Sequence, residues 1–202
     1  MTPERWSLLM SALGLPGNED TYASLTRAYA EPHRHYHNAD HVAACLRQLD
    51  EVAAQAGKPH EIELALWFHD AVYDPFSSRN ELDSADWAAQ FMRGNDMLEE
   101  AISSVHRLIM VTQGHGQTSS RDEELMVDID LSILGESPET YMRFEKAIRQ
   151  EYSRVPFFLF RKKRKEILAD FLQRDRLYNL EYFTNNFDAQ ARINLANAIA
   201  AL

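Results

Sequence analysis

Leu64-Ala65-Leu66-Trp67-Phe68-His69-Asp70-Ala71-Val72-Tyr73 reads as a helix without a polar face, broken only by an imidazole beside a carboxylate. A helix that is apolar nearly all round is buried, and a buried charge has to be paired, neutralised or bound to a cation. Neighbours on a helix point about 100° apart and do not readily bond each other, so His69 and Asp70 each call for a partner from elsewhere in the chain. An ordinary hydrogen-bonded core pair and a metal site both satisfy that requirement.

Working outward, the apolar spacing is helical almost throughout and no stretch shows convincing strand alternation. Pro59 sits where a first-turn proline belongs, and Asp74-Pro75 closes the helix that carries the dyad. Upstream, the same signals predict a helix from Pro3 to Leu13 and a second, capped by Asn18 or Asp20, ending before Glu31-Pro32. A third begins near Asn38, with Val42, Cys45, Leu46, Leu49, Val52 and Ala53 on one stripe, and stops at Gly57. Downstream, Ser78-Arg79-Asn80-Glu81 has the spacing of a capping box for a helix to Met92. Further helices are expected over Met97–Thr112, Arg121–Leu131, from the Ser137-Pro138 cap to Val155, from Pro156 to Arg174, and in a last amphipathic segment reaching Leu202. The expected fold is all-α, an irregular multi-helix bundle. With no Gly/Ser-rich linker it reads as one domain over residues 1–202, its core at about 22–175 and a C-terminal helix at 187–201 packed on it.

Composition narrows the function classes. Lys and Arg total 21 against 31 Asp and Glu, and the net charge of -10 disfavours polyanionic nucleic acid or an anionic membrane as partner. The basic run Arg161-Lys162-Lys163-Arg164-Lys165 points all round a helix axis and carries no interleaved aromatics, so a solvated face paired with nearby acids is expected there. One cysteine, Cys45, excludes an internal disulfide, and no window approaches the length of an apolar membrane span; a cytoplasmic location is expected. No phosphate-binding glycine loop, dinucleotide fingerprint or serine nucleophile elbow occurs.

Three clusters can carry chemistry. In Pro32-His33-Arg34-His35-Tyr36-His37-Asn38-Ala39-Asp40-His41, His37 and His41 would share a helical face, and His41 just precedes the apolar stripe and can turn inward. Asn38 stands where a zinc protease would carry its glutamate, which argues against that chemistry. The dyad is the second cluster. In the third, Glu124 to Leu134, Asp128 and Asp130 interrupt an apolar run about 200° apart on a helix, so only one faces a core comfortably and, if buried, needs a cation. A histidine, a His-Asp pair and an aspartate from three helices would form a four-ligand N/O site for Mn, Fe, Co, Ni, Mg or Zn.

The order His41, His69-Asp70, Asp130 resembles the signature of the HD superfamily of metal-dependent phosphohydrolases. The phrases around it are similar to one subgroup: Tyr-His-Asn-x-x-His at Tyr36–His41, Trp-Phe-His-Asp-Ala-Val-Tyr-Asp-Pro at Trp67–Pro75, and Asp-x-Asp-Leu-x-Ile-Leu-Gly at Asp128–Gly135. The resemblance runs from about Tyr22 to Ala196. It implies an HD-type helical domain with His41, His69, Asp70 and Asp130 around one divalent metal, and hydrolysis of a small phosphorylated compound such as a nucleotide by a metal-activated water.

On that reading Asp70 and Glu81 are the catalytic carboxylates, although Glu81 equally suits a capping partner. Arg34, His37, Asn38 and His115 are the expected substrate contacts, with Arg154 a further phosphate candidate. His37 and His115 could instead hold a second metal, and the glycines flanking His115 suit a mobile loop as well. His60 and His106 read as structural or exposed. Two alternatives accompany the hydrolase: a dinuclear iron oxygenase on the same scaffold, and a non-catalytic nucleotide-binding module. The C-terminal helix could support a homodimer.

Overall fold

The computed structural model describes residues 1–202 and contains helices joined by turns and loops, with no strand. In chain order the helices are α1 (Pro3–Ala12), α2 (Glu19–Tyr29), α3 (Ala39–Val52), α4 (Pro59–Phe68), α5 (Asn80–Gly94), α6 (Glu99–Met110), α7 (Arg121–Asp130), α8 (Pro138–Glu151), α9 (Phe157–Gln173), the single turn α10 (Glu181–Phe183) and α11 (Ala189–Ala201). The all-α expectation holds. The chain forms two compact units, Met1–Val127 and Asp128–Leu202.

In the first unit α4 is the hub. Ile62 and every residue from Leu64 to Phe68 are buried, and α1, α3, α5 and α6 all pack on this helix. That follows from the sequence: a helix with apolar residues on every side reaches a stable state only when covered on every side, at about 1.5–3 kcal/mol for each large side chain withdrawn from water. Trp67 meets the edge of Trp6 at 5.2 Å between ring centroids, and Phe68 stacks on Phe91 at 5.5 Å.

Helix starts follow local chemistry. Thr2 caps α1 ahead of Pro3, Asn38 caps α3 and Pro59 opens α4. The expected box at Ser78–Glu81 does not form. The residue at the cap of α5 is Arg79 and no side chain bonds there; Ser77 Oγ accepts from the Arg79 amide, and Asn80 instead grips the Asp74 backbone in both directions, accepting from its amide and donating to its carbonyl. At Ser120–Glu123 half of such a box is present: Ser120 Oγ accepts from the Glu123 amide, while the Glu123 carboxylate accepts from the Ser119 amide, one residue before the cap.

In the second unit α11 packs on α8, α9 and the 3-10 turn Leu131–Gly135. Buried Asn194 donates to the Leu134 and Glu136 carbonyls, which fixes that turn against α11. The last helical segment starts from the single turn α10 and passes through a π-helical stretch, Thr184–Asp188, before becoming regular. Ser137 and Pro138 open α8 as expected, but it ends at Glu151 rather than Val155: Pro156 has no N–H to offer the Tyr152 carbonyl and pushes Val155 out of helical geometry, and the Arg149 side chain takes the Tyr152 and Val155 carbonyls. In the basic run, Arg164 is tied to Glu145 at 2.6 Å and Lys163 pairs with Glu166, so part of it is a paired helix face.

Of the two aspartates in the third cluster, Asp128 is the fully buried one and Asp130 is half-buried. Within the second unit Asp128 meets several N–H donors. Its Oδ1 accepts from the Asn179 amide and side chain at 2.8 and 3.0 Å, and its Oδ2 from the Leu180 amide at 2.8 Å. A carboxylate with several N–H donors is a stable buried anion.

Candidate metal centre

The geometry that matters is set by where α4 stops. The sequence predicts a helix through the dyad to Asp74, whereas α4 ends at Phe68 and the chain turns at His69-Asp70, the Ala71 amide bonding the Phe68 carbonyl. Arg34 provides the physical reason. Its guanidinium is buried over the Tyr29 and Tyr73 rings and donates to the Asp70 carbonyl at 2.6 Å, the Ala71 carbonyl at 3.0 Å and the His37 carbonyl at 3.1 Å, with Glu31 as its counter-charge at 2.9 Å. One side chain thus joins the dyad turn to the histidine-rich segment. Tyr29 adds a bond from its hydroxyl to the Trp67 carbonyl at 3.0 Å.

Leaving the helix lets neighbours meet that a helix would hold apart. His69 Nε2 lies 3.1 Å from Asp70 Oδ2, so the expectation that the two do not bond is corrected. His69 Nδ1 is 3.0 Å from the Leu66 carbonyl; it therefore carries a proton and turns Nε2 toward the cluster. His41 projects from the first turn of α3, where the Asn38 side chain accepts from the Asp40 and His41 amides. Its Nε2 lies 3.0 Å from His69 Nε2 and 3.3 Å from Asp70 Oδ2.

Two imidazole nitrogens and a carboxylate oxygen thus stand at the corners of a triangle with sides of 3.0, 3.1 and 3.3 Å. Adjacent ligands of one divalent ion at about 2.1 Å stand about 3.0 Å apart at octahedral angles and about 3.4 Å at tetrahedral ones, so the donor set fits such an ion. Imidazole nitrogens without a hydrogen and a carboxylate oxygen are all acceptors, and they repel one another unless a proton or a cation sits among them. Burial works against the Asp70 carboxylate, and the imidazoles of His69 and His37 with the hydrogen bonds from His41 and His69 overcome it, holding its carboxyl well below the usual range. The same negative charge, after burial itself, pushes the Tyr29 hydroxyl upward.

A second set shares the two histidines. Potential ligand atoms of His41, Cys45 and His69 all lie within 4.8 Å of one another. This buried His/Cys/His group could hold a metal ion. The sequence reading missed Cys45 in this role. The signal was present, since Cys45 follows His41 by four residues and therefore lies one helical turn along the same face of α3.

The remaining expected site residues are placed as follows. His37 precedes α3 instead of sharing its face with His41; it stacks on Tyr73 at 4.2 Å between centroids, with the His41 ring at 6.2 Å. Asn38 is the cap of α3 and also donates to the His35 carbonyl. His115 lies in the loop between α6 and α7 with φ of 50°, a left-handed conformation uncommon outside glycine. Glu81 is half-buried in the first turn of α5 and makes no capping bond there. It shares a helix face with Ser84, whose hydroxyl bonds both the amide and the carbonyl of Val72 two residues beyond the dyad. Arg154 is exposed, as are His33, His35 and His60; His106 is half-buried, 3.5 Å from Asp86. No helix is long and apolar enough to cross a membrane. No protein-family model, curated protein or solved structure matches this chain.

Proposed function

We propose that the protein is a metal-dependent phosphohydrolase of the HD type, cleaving a small phosphorylated compound such as a nucleotide or another phosphate ester. The observation that carries this reading is the triangle of His41 Nε2, His69 Nε2 and Asp70 Oδ2, a convergence of ligand atoms at spacings suited to one divalent ion. Asp130, which the motif order gives as the last member of the set, is the fourth ligand in this proposal. The motif order and surrounding phrases that resemble the HD superfamily supply the reaction class. A bound divalent ion supplies an acidified water and polarises a phosphoryl oxygen.

The chain's own residues divide the remaining work. Leu66 holds the His69 proton at Nδ1, and the Asn38 cap sets the first turn of α3, from which His41 projects. Arg34, with its guanidinium committed to three backbone carbonyls and Glu31, acts as a positioning residue for the dyad turn. His37 and His115 remain the proposed substrate-side groups. Glu81 is the proposed proton-transfer group: it has no capping bond, and its helix face is the one fastened next to the dyad.

The test is to strip the protein with a chelator, reload it separately with Mn, Co, Ni, Mg and Fe(II), and assay phosphomonoesters, cyclic nucleotides and nucleotides. Hydrolysis of at least one class, with about one metal per chain, is expected; hydrolysis of none with any metal overturns the reading. Two irons per chain with oxygen-dependent turnover would favour an oxygenase instead. In the active combination Glu81→Gln is expected to slow turnover about 10²- to 10⁴-fold while metal content is unchanged. Unchanged turnover would remove Glu81 from the mechanism.

A further inference from the structure

Cys45 is the one residue of the cluster that an N/O phosphohydrolase site does not call for. It is the chain's single cysteine, buried at 2% exposure on α3 one turn beyond His41. Its sulfur lies 3.7 Å from His41 Nδ1 and 3.8 Å from Nε2, and belongs to the group whose ligand atoms all fall within 4.8 Å. For metal–sulfur and metal–nitrogen bonds of about 2.3 and 2.1 Å, a thiolate and an imidazole on one tetrahedral ion stand about 3.6 Å apart. The observed sulfur–Nε2 distance needs only a small side-chain adjustment to meet that value. The i, i+4 spacing on a helix anchored by the Asn38 cap makes His41 and Cys45 a preformed pair.

We propose that Cys45 is a thiolate ligand of the ion held by His41 and His69, so that the site selects zinc, cobalt(II) or iron(II) over magnesium. The inference rests on the cluster being a metal centre, as proposed above. On binding, the S–H bond breaks, its proton leaves to solvent, and the sulfur electron pair forms the bond to the ion; nothing is oxidised or reduced. Thiolate is a soft donor that favours these ions over magnesium, whose preferred ligands are carboxylate, carbonyl and water oxygens.

Cobalt(II) titration of the chelator-treated protein, followed by absorption, provides the test. The expected result is visible ligand-field bands together with a near-ultraviolet sulfur-to-cobalt charge-transfer band. Because the chain has one cysteine, that band can come only from Cys45. In Cys45→Ser the visible bands remain and the charge-transfer band disappears, while zinc affinity falls at least about tenfold and magnesium affinity does not change. Far-ultraviolet circular dichroism of Cys45→Ser and Cys45→Ala confirms that each variant is folded, and the wild-type spectrum alone decides the question if neither folds. Visible bands without a charge-transfer band in the wild type overturn the thiolate ligand and leave the histidine-aspartate centre standing. No cobalt bands at all overturn both.

Discussion

Asp70→Ala loses both metal retention and turnover, with the fold intact. Asp70 Oδ2 is 3.3 Å from His41 Nε2 and 3.1 Å from His69 Nε2, so its removal leaves two imidazoles facing each other without the anion that both address. Removing an outer-sphere partner of a metal ligand costs about 10- to 100-fold in affinity, and loss of a ligand costs more than that. The measurement is metal content after dialysis, together with melting temperature with and without added ion. At an ion concentration about 100 times its Kd, the wild type gains about 2.7 kcal/mol of stability and Asp70→Ala gains far less. Asp70→Asn keeps the shape without the charge and is expected to lie between the two. An Asp70→Ala protein that holds as much metal, is stabilised as much by it, or turns over as fast as wild type overturns the assignment. Arg34 keeps the dyad turn in place in this variant, because it holds backbone carbonyls and not the Asp70 side chain.

Asp128→Ala produces the largest expected loss of stability. Its carboxylate accepts from the Asn179 and Leu180 amides and from the Asn179 side chain, and the residue is fully buried. Alanine leaves those donors unpaired at about 1–3 kcal/mol each, partly relieved where water or the exposed side of Asn179 can compensate, for about 3 kcal/mol or more in all. The lower urea midpoint of unfolding, read by far-ultraviolet circular dichroism, measures it. Asp128→Asn retains one acceptor oxygen and is expected to lose about half as much. A change of less than about 1 kcal/mol in Asp128→Ala would show that the donors find other partners. Metal content does not fall in either folded variant if Asp128 serves the fold and Asp130 the ion, and this separates two carboxylates that differ by two positions in sequence.

Much of the fold was legible because helix starts are encoded locally. Thr2-Pro3, Asn38, Pro59 and Ser137-Pro138 each carry their capping side chain or fixed φ within a turn of the helix they open. Ends were less legible. Whether α4 continues through His69-Asp70 depends on which groups take the Asp70 and Ala71 carbonyls, and the answer is Arg34, 36 and 37 residues away along the chain. The capping box at Ser78–Glu81 failed for a similar reason: Asn80 gains two bonds to the Asp74 backbone, and the spacing of Ser-x-x-Glu contains no record of that competitor.

The candidate site divides in the same way. The sequence by itself determined that the chain is helical, that α4 must be covered on all sides, and that His69 and Asp70 within that apolar stretch require partners, because these follow from periodicity and the cost of burying charge. It also carried the order of His41, the dyad and Asp130. Only the tertiary structure decided that His41 and His69 meet Nε2 to Nε2 at 3.0 Å, that Asp128 is spent on backbone amides, and that Cys45 stands beside His41. A ligand set is a coincidence of atoms in space, produced by helix packing and by the turn that Arg34 holds, and residue spacing along a chain specifies neither.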